Sequence, residues 1–477
     1  MKPLVFLYKT PFGYYFYETG RNEIVQVNKE LYQYIKAIID DWEPGITSAS
    51  SKTKVEYHDL QECGYLSPPR VQNIQHPLTN DLNEMLTRKV DKITLQVTQN
   101  CNLRCSYCIY SENSNFGQRT HSHKAMSLDT AKRALDFYRN NAADTDLIGI
   151  GFYGGEPLLE FDLIKSVVAY AQEIFEGKEI SFSITTNATL LSEAVIDFLL
   201  KYNFKILISI DGPEKVQNKN RRFKDGSGSY KLVMKNISRL YDKDPDKLSR
   251  LKLSIVIEPS ADYYEIISLF DEPVMKNVGL TYSFVEENAQ TLPPSKEYTA
   301  EYSYDMFLAF VKYFRSSGKS YPSKLVEQDI ATYKEGNKRF KTSILSAISA
   351  PSGPCVPGKT RLFITCSGDL YPCERVNENC CMKIGNLEDG YDMDNIKTIL
   401  NVGQANKERC KNCWAFSLCT MCVKRADDNG KLSEKRIAFA CRDAKAIAID
   451  RIANKILAYE QENHERKMCK VRGEKSV

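Results

Sequence analysis

Cys101, Cys105 and Cys108 carry the clearest chemistry in this chain. Their spacing is C-x3-C-x2-C, and they directly follow an apolar, strand-like run at residues 93–97. Three thiolates on one tight loop can hold three irons of a cubane [4Fe–4S] cluster and leave the fourth iron without a protein ligand. An open iron can bind and reduce a small molecule, whereas a fully ligated cluster relays electrons. Thiolate softness favours iron–sulfur or zinc over hard cations. The competing reading is a zinc knuckle completed by a ligand from elsewhere.

A second constellation lies towards the C-terminus, where eleven of the 15 cysteines fall from Cys355 onward. Cys355 is followed after twelve residues by Gly368, and four residues later by Cys373. Cys410, Cys413, Cys419 and Cys422 then run C-x2-C-x5-C-x2-C, and Cys441 follows after a gap. C-x2-C pairs also occur in zinc ribbons. Residues 363–365 and 370–372 flank Cys366-Ser367-Gly368-Asp369, which reads as a β-hairpin presenting Cys373. The N-terminus Met1-Lys2-Pro3-Leu4 lacks a signal-peptide core, so a cytoplasmic, reducing location is expected. There, cysteines bind metal more readily than they form a disulfide framework.

The elements that must position these residues alternate between strand and helix. Strands are expected at residues 93–97, 147–153, 180–186, 204–210, 251–257 and 280–285. Ser192 is a good N-cap, and Val195, Phe198, Leu199 and Tyr202 follow it at i, i+3, i+4, i+7. Ser127 can cap a helix carrying Ala131, Leu135 and Phe137 or Tyr138. Six strands separated by helices predict a parallel α/β sheet with right-handed crossovers, two units short of a full barrel. In such a (β/α)6 partial barrel the loops after the strands converge on one face. Three of those loops are unusual: Tyr153-Gly154-Gly155-Glu156-Pro157, Thr185-Thr186-Asn187 and Ser209-Ile210-Asp211-Gly212-Pro213. Paired glycines let the backbone approach a ligand closely, with a carboxylate beside them.

The cysteine loop with its aromatic Tyr107, followed in order by G-G-E-P, T-N and S-x-D-G segments, resembles the radical S-adenosylmethionine (SAM) enzymes. The resemblance implies that Cys101, Cys105 and Cys108 hold a [4Fe–4S] cluster whose open iron is chelated by SAM. Reductive cleavage of SAM then gives a 5′-deoxyadenosyl radical. It also implies that Gly154, Gly155, Glu156 and Pro157 form the ammonium site. Thr186 and Asn187 lie near the sugar, and Ser209 and Asp211 on the ribose side. Arg221, Arg222 and Gly228-Ser229 echo a further family pattern, although helix capping explains the serine equally well.

The C-terminal cysteines resemble the SPASM extension of radical SAM peptide-modifying enzymes, with x2 where the family has x3 before Cys422. That resemblance implies two auxiliary [4Fe–4S] clusters, three in all. Cys355, Cys373 and Cys422 would serve the first auxiliary cluster, and Cys410, Cys413, Cys419 and Cys441 the second. Two closed clusters need eight thiolates and the pattern supplies seven. Either the first keeps an open iron or a spare cysteine closes it: Cys366, Cys380 or Cys381. Cys366, seven positions before Cys373, is expected within reach. An acidic residue at the place of Glu374 acts as a base in sulfatase maturases, so Glu374 is the candidate catalytic residue. Cys63 and Cys469 are expected to be bland.

Residues 1–85 read as a separate module and linker. Segments 4–8 and 14–18 flank a Pro11-Phe12-Gly13 turn, residues 24–27 form a third strand, and Leu31, Ile35 and Ile38 make a helical stripe. A second helix ends near Gly64, and Ser67-Pro68-Pro69 opens the linker. This resembles the winged-helix-like recognition element of maturases of ribosomally made peptides (RiPPs), where a sheet edge takes the leader peptide as an added strand. A structural cap on the barrel is the alternative. The expected organisation is this module at 1–85, the radical SAM barrel at 86–330 and the SPASM extension at 331–477.

Together the resemblances imply a maturase that installs cysteine thioether crosslinks in a ribosomal precursor peptide, as in the sactipeptide and ranthipeptide families. Its electrons would come from a reductant such as ferredoxin or flavodoxin. The alternatives are another peptide product (a C–C crosslink, epimerisation or formylglycine), a small-molecule radical enzyme, or a non-enzymatic zinc scaffold. A net charge of +4 over 477 residues implies no nucleic-acid partner, and no apolar run is long enough for a membrane span. The basic segments are 219–224 and a tail at 466–475 expected to be disordered. His121 and His123 are expected to be loop residues rather than metal ligands.

Overall fold

The computed structural model describes residues 2–108, 121–244, 251–287, 290–314, 321–339, 342–351 and 355–472. Strand alternation decides the packing of the first module. Strands β1 (Val5–Lys9), β2 (Tyr14–Glu18) and β3 (Glu23–Val27) form an antiparallel sheet with β2 at its centre. Successive side chains of β2 face opposite sides. Phe16 packs with Val5, Leu31, Ile35, Tyr57 and Leu66, beneath helices α1 (Lys29–Ile39) and α2 (Ser51–Glu62). Asn28 and Ser50 cap those helices, and Gly64 follows the second at φ +82°, a conformation suited to glycine. Tyr15 and Tyr17 face the other way, onto Ala415, Leu418, Ala448, Ile452 and Ile456. The module's second face is therefore buried by the C-terminal region.

The six expected barrel strands are β4 (Lys92–Thr98), β5 (Leu147–Gly154), β6 (Glu179–Thr186), β7 (Lys205–Ser209), β8 (Leu251–Ile257) and β9 (Gly279–Phe284). They lie side by side in chain order, every neighbouring pair parallel. Helices α3 (Leu128–Asn141), α4 (Phe161–Ile174), α5 (Glu193–Lys201) and α6 (Tyr230–Lys243) occupy crossovers between them. Ser127 and Ser192 cap α3 and α5, as the sequence predicts. The helix-facing residues Ile148, Ile150, Ile184, Ile206, Ile208 and Ile255 join one core with Leu135, Val168 and Ile237 of the helices.

The barrel sheet does not stop at six strands. Strand β10 (Leu362–Ile364) lies parallel to β4, pairing Leu362 with Ile93 and Ile364 with Leu95. Strands β11 (Asp369–Tyr371), β12 (Gly385–Asn386) and β13 (Gly390–Tyr391) continue it antiparallel, making ten strands. The expected hairpin is present, but it extends the barrel rather than standing apart from it. The last described element is a helix, Glu434–Arg472, which runs through most of the segment expected to be a disordered tail. Residues 473–475 of that tail lie outside the described residues, as does the side chain of Cys469. No described helix is long and apolar enough to cross a membrane.

Candidate functional site

A cavity of about 350 Å³ opens at the C-terminal ends of the barrel strands. Cys101, Cys105, Tyr107 and Cys108 line it from the loop after β4, together with Gly154, Gly155, Thr186, Asn187 and Ser209 from the later loops. Two backbone bonds lay the glycine loop on the cysteine loop: Gly155 N donates to Thr98 O (2.9 Å) and Glu156 N to Asn100 O (2.8 Å). A Cβ on Gly154 would stand 2.1 Å from Thr98 O, and one on Gly155 2.0 Å from Asn100 O. No side chain fits either position. Gly154 also has φ +147°.

Glu156 is completely buried and ties the second loop to the third. It accepts bonds from Thr186 Oγ1 (2.7 Å), Asn187 N (2.7 Å) and Leu158 N (3.1 Å). Burial pushes its carboxyl up to about 7, against the pull of those three bonds. Its oxygens are turned into the loops, and Pro157 behind it is buried. Asp211 is likewise buried. It accepts bonds from the Tyr107 hydroxyl and from Val256 N (3.2 Å). Arg221 Nε lies 3.0 Å from Asp211 Oδ1, close enough for an ion pair but not aligned for a hydrogen bond. The guanidinium sits 5.5 Å over the Tyr107 ring and donates to Cys105 Sγ at 3.9 Å. Arg221, which echoes only a secondary family pattern in the sequence, is central to the site.

The donor environment of the sulfurs fits an iron–sulfur cluster. Leu103 N (3.4 Å) and Asn187 Nδ2 (3.8 Å) donate to Cys101 Sγ. Burial pushes the Cys101 thiol up to about 12 and Cys105 to about 11. Thiolates form here when a metal cation bears on them, which iron does. Among the described residues, no three His, Cys, Asp or Glu side chains converge at the distances of a single metal ion. The three thiols nonetheless feel one another's charge.

The cavity continues along the inner face of the sheet. Tyr153, Thr185, Leu207, Ser254 and Val256 line it, alternating with the residues that face the helices. His121, expected to be merely a loop residue, lines it too. The C-terminal region supplies Glu374, Arg375 and Lys424. Glu374 is held by Arg361 Nη1 at 2.9 Å, and Lys424 pairs with Glu286 beyond the end of β9.

The C-terminal cysteines fall into two neighbourhoods. Cys373 feels the charges of Cys355 and Cys422, and Cys410 those of Cys413, Cys419 and Cys441. Cys422, where the spacing departs from the SPASM pattern, thus stands with the first group. Cys366 does not. It occupies the hairpin turn, whereas Cys373 follows the far end of the returning strand β11. The Cys366 thiol donates to Gln96 O at 3.0 Å, and its N–H to Gln96 Oε1 at 3.1 Å. Seven residues of separation suggested proximity; an antiparallel hairpin turns that separation into distance. Cys380 donates to Gly430 O (3.4 Å) and Cys381 to Asn379 Oδ1 (3.3 Å). The first module reaches the second group through Phe6, stacked on Trp414 with ring centroids 4.1 Å apart.

Residues 95–272, which run from within β4 to beyond β8 and stop short of β9, match the radical SAM superfamily model. Among curated relatives, the "Cysteine-type anaerobic sulfatase-maturating enzyme" of Clostridium novyi is 23% identical over 404 residues, covering 76% of this chain and 97% of that protein. The "Uncharacterized protein MJ0907" of Methanocaldococcus jannaschii is 39% identical over 137 residues, 29% of this chain and 44% of its own length. Among solved structures, anSMEcpe with bound AdoMet superposes with a TM-score of 0.56 at 20% identity, covering 76% of this chain and 98% of that one. That likeness shows a shared fold.

Proposed function

We propose that the protein is a radical SAM maturase that forms a thioether between a cysteine sulfur and a carbon of another residue in a ribosomally made peptide. The observation that carries this reading is the shared cavity. The cysteine loop and the glycine-rich loops open into the same space as Glu374 and Arg375, which follow Cys373, and Lys424, two residues after Cys422. When bound, SAM and its cluster supply the radical that removes a hydrogen, and the auxiliary clusters accept the surplus electron.

In this reading Cys101, Cys105 and Cys108 ligate the radical cluster. The backbone of Gly154 and Gly155 approaches SAM's ammonium, Glu156 fixes Thr186 and Asn187 in place, and Ser209 faces the sugar. Asp211 orients Tyr107 and Arg221 beside Cys105. Cys355, Cys373 and Cys422 hold one auxiliary cluster, and Cys410, Cys413, Cys419 and Cys441 the other. Three thiolates in the first set, with Cys366 engaged elsewhere, would hold a cluster lacking a fourth protein ligand, which would supply a place for the substrate sulfur. Holding that sulfur near the reacting carbon replaces a bimolecular encounter with a positioned one. Glu374 takes the thiol proton. The module of residues 1–85 binds the leader peptide by strand addition at an outer edge of its sheet. Residues 86–330 form the barrel and 331–477 the extension, and ferredoxin or flavodoxin supplies electrons.

Formylglycine formation is the second reading, favoured by the sulfatase-maturating relative that aligns along nearly its whole length. Anaerobically reconstituted enzyme, given a precursor peptide deuterated at candidate acceptor carbons, tests both. A thioether transfers deuterium to 5′-deoxyadenosine, removes two hydrogens from the peptide, consumes a thiol and keeps the sulfur. Formylglycine from cysteine loses the sulfur and leaves a hydrazide-reactive aldehyde. Loss of two hydrogens with every thiol still free and no hydrazide-reactive aldehyde would overturn both.

A further inference from the structure

Charge in the cavity is nearly all matched. Arg221 stands against Asp211, Lys424 against Glu286, and Glu374 against Arg361. Arg375 is the exception. It is exposed and lines the cavity, and among the described residues its guanidinium has no hydrogen-bond or ion-pair partner. Glu374, its chain neighbour, is taken up by Arg361 at 2.9 Å and does not neutralise it. Arg375 lies two residues after Cys373, on the wall built by the C-terminal region, whereas the post-strand loops build the SAM side. The group that meets Arg375 therefore belongs to the substrate.

An unmatched cation in a confined cavity calls for an anion. The planar guanidinium offers two parallel donors that fit a carboxylate, a geometry lysine lacks. We propose that Arg375 binds a side-chain carboxylate of the substrate, an Asp or Glu close to the modified cysteine, and so fixes which stretch of peptide faces the radical. This rests on the reading of the substrate as a peptide. It adds a specificity determinant: a maturase of acidic rather than purely apolar or hydroxylic core sequences.

The test uses reconstituted holoenzyme and short synthetic peptides, each with one cysteine and differing at one later position. Three are C-terminally amidated and carry Asp, Asn or Lys there. A fourth carries Asn with a free C-terminal acid. Equilibrium binding by fluorescence anisotropy should favour the Asp peptide over the Asn peptide by about 10- to 100-fold, the range of a charge-assisted bond. Arg375→Met should abolish that preference, Arg375→Lys should keep part of it, and Arg375→Glu should shift it to the Lys peptide. A merely structural arginine would not exchange preference with charge. Equal binding of the Asp and Asn peptides, or an Asp preference that survives Arg375→Met, overturns the inference while leaving the peptide reading intact. An advantage confined to the free-acid peptide overturns the side-chain assignment. Failure of every peptide to bind overturns the inference, while the peptide reading, which places leader affinity in residues 1–85, is tested separately by the deuterated precursor.

Discussion

Replacing Gly155 with alanine puts the contact between two loops to a direct test. The new Cβ would lie 2.0 Å from Asn100 O and 2.5 Å from Asn100 C. Ordinary carbon–oxygen contact needs about 1 Å more, and both atoms are backbone, so no rotamer change relieves the clash. The loops must part. Doing so breaks the bonds from Gly155 N to Thr98 O and from Glu156 N to Asn100 O, each worth about 1 kcal/mol net. It also disturbs the partners of buried Glu156, worth about 1–3 kcal/mol more. A loss of roughly 3–5 kcal/mol is below the usual stability of a folded domain, so the fold should survive with a displaced Cys101. After anaerobic reconstitution, Gly155→Ala should lack about one cluster's worth of iron and release no 5′-deoxyadenosine. Its far-ultraviolet circular dichroism should remain native. Gly177→Ala is the control. A Cβ there meets nothing within 4 Å, and its φ of +84° costs stability without touching the site. Wild-type iron content and SAM cleavage in Gly155→Ala would refute the loop-contact argument.

Further outcomes follow from single groups. Glu156 binds its proton more tightly when folded, with a value near 7 against 4.5 unfolded. Its contribution is therefore full at low pH and lost as pH rises through 7. Between pH 6 and 8 it should remove roughly 1 kcal/mol from the stability of SAM-free protein, and Glu156→Gln should flatten that slope in denaturant titrations. Cys366→Ala should keep its full iron content and its electron paramagnetic resonance spectra, because the thiol bonds Gln96 O. Cys373→Ala should lose about one cluster, and equal iron loss in the two variants would contradict the hairpin geometry. Replacing Cys101, Cys105 and Cys108 together by alanine should abolish SAM cleavage and leave the auxiliary iron. Deleting residues 1–66 should destabilise the protein and not merely weaken leader binding, because it uncovers Ala448, Ile452 and Ile456. Unchanged thermal stability of the truncated protein would refute that.

Local chemistry in this protein is legible along the chain, and much of its assembly is not. The barrel strands, the caps Ser127 and Ser192 and the glycine-rich turn follow from periodicity, capping and φ preference, which act over a few residues. The cysteine loop announces itself because its ligands share one short segment. The sequence leaves open which distant surfaces meet. Tyr15 and Phe16 are adjacent and both apolar, and nothing nearby tells that one faces α1 while the other faces the terminal helix. Nor does spacing tell that β10 adds to the edge at β4, because strand pairing depends on which edge is free once the sheet has formed. That pairing sends Cys366 to Gln96 and away from Cys373. It also draws Arg375 into the same cavity as Cys101, 274 positions earlier in the chain. Residue type and short-range order specify the reactive groups; burial and sheet register, both properties of the whole molecule, decide which of them act together.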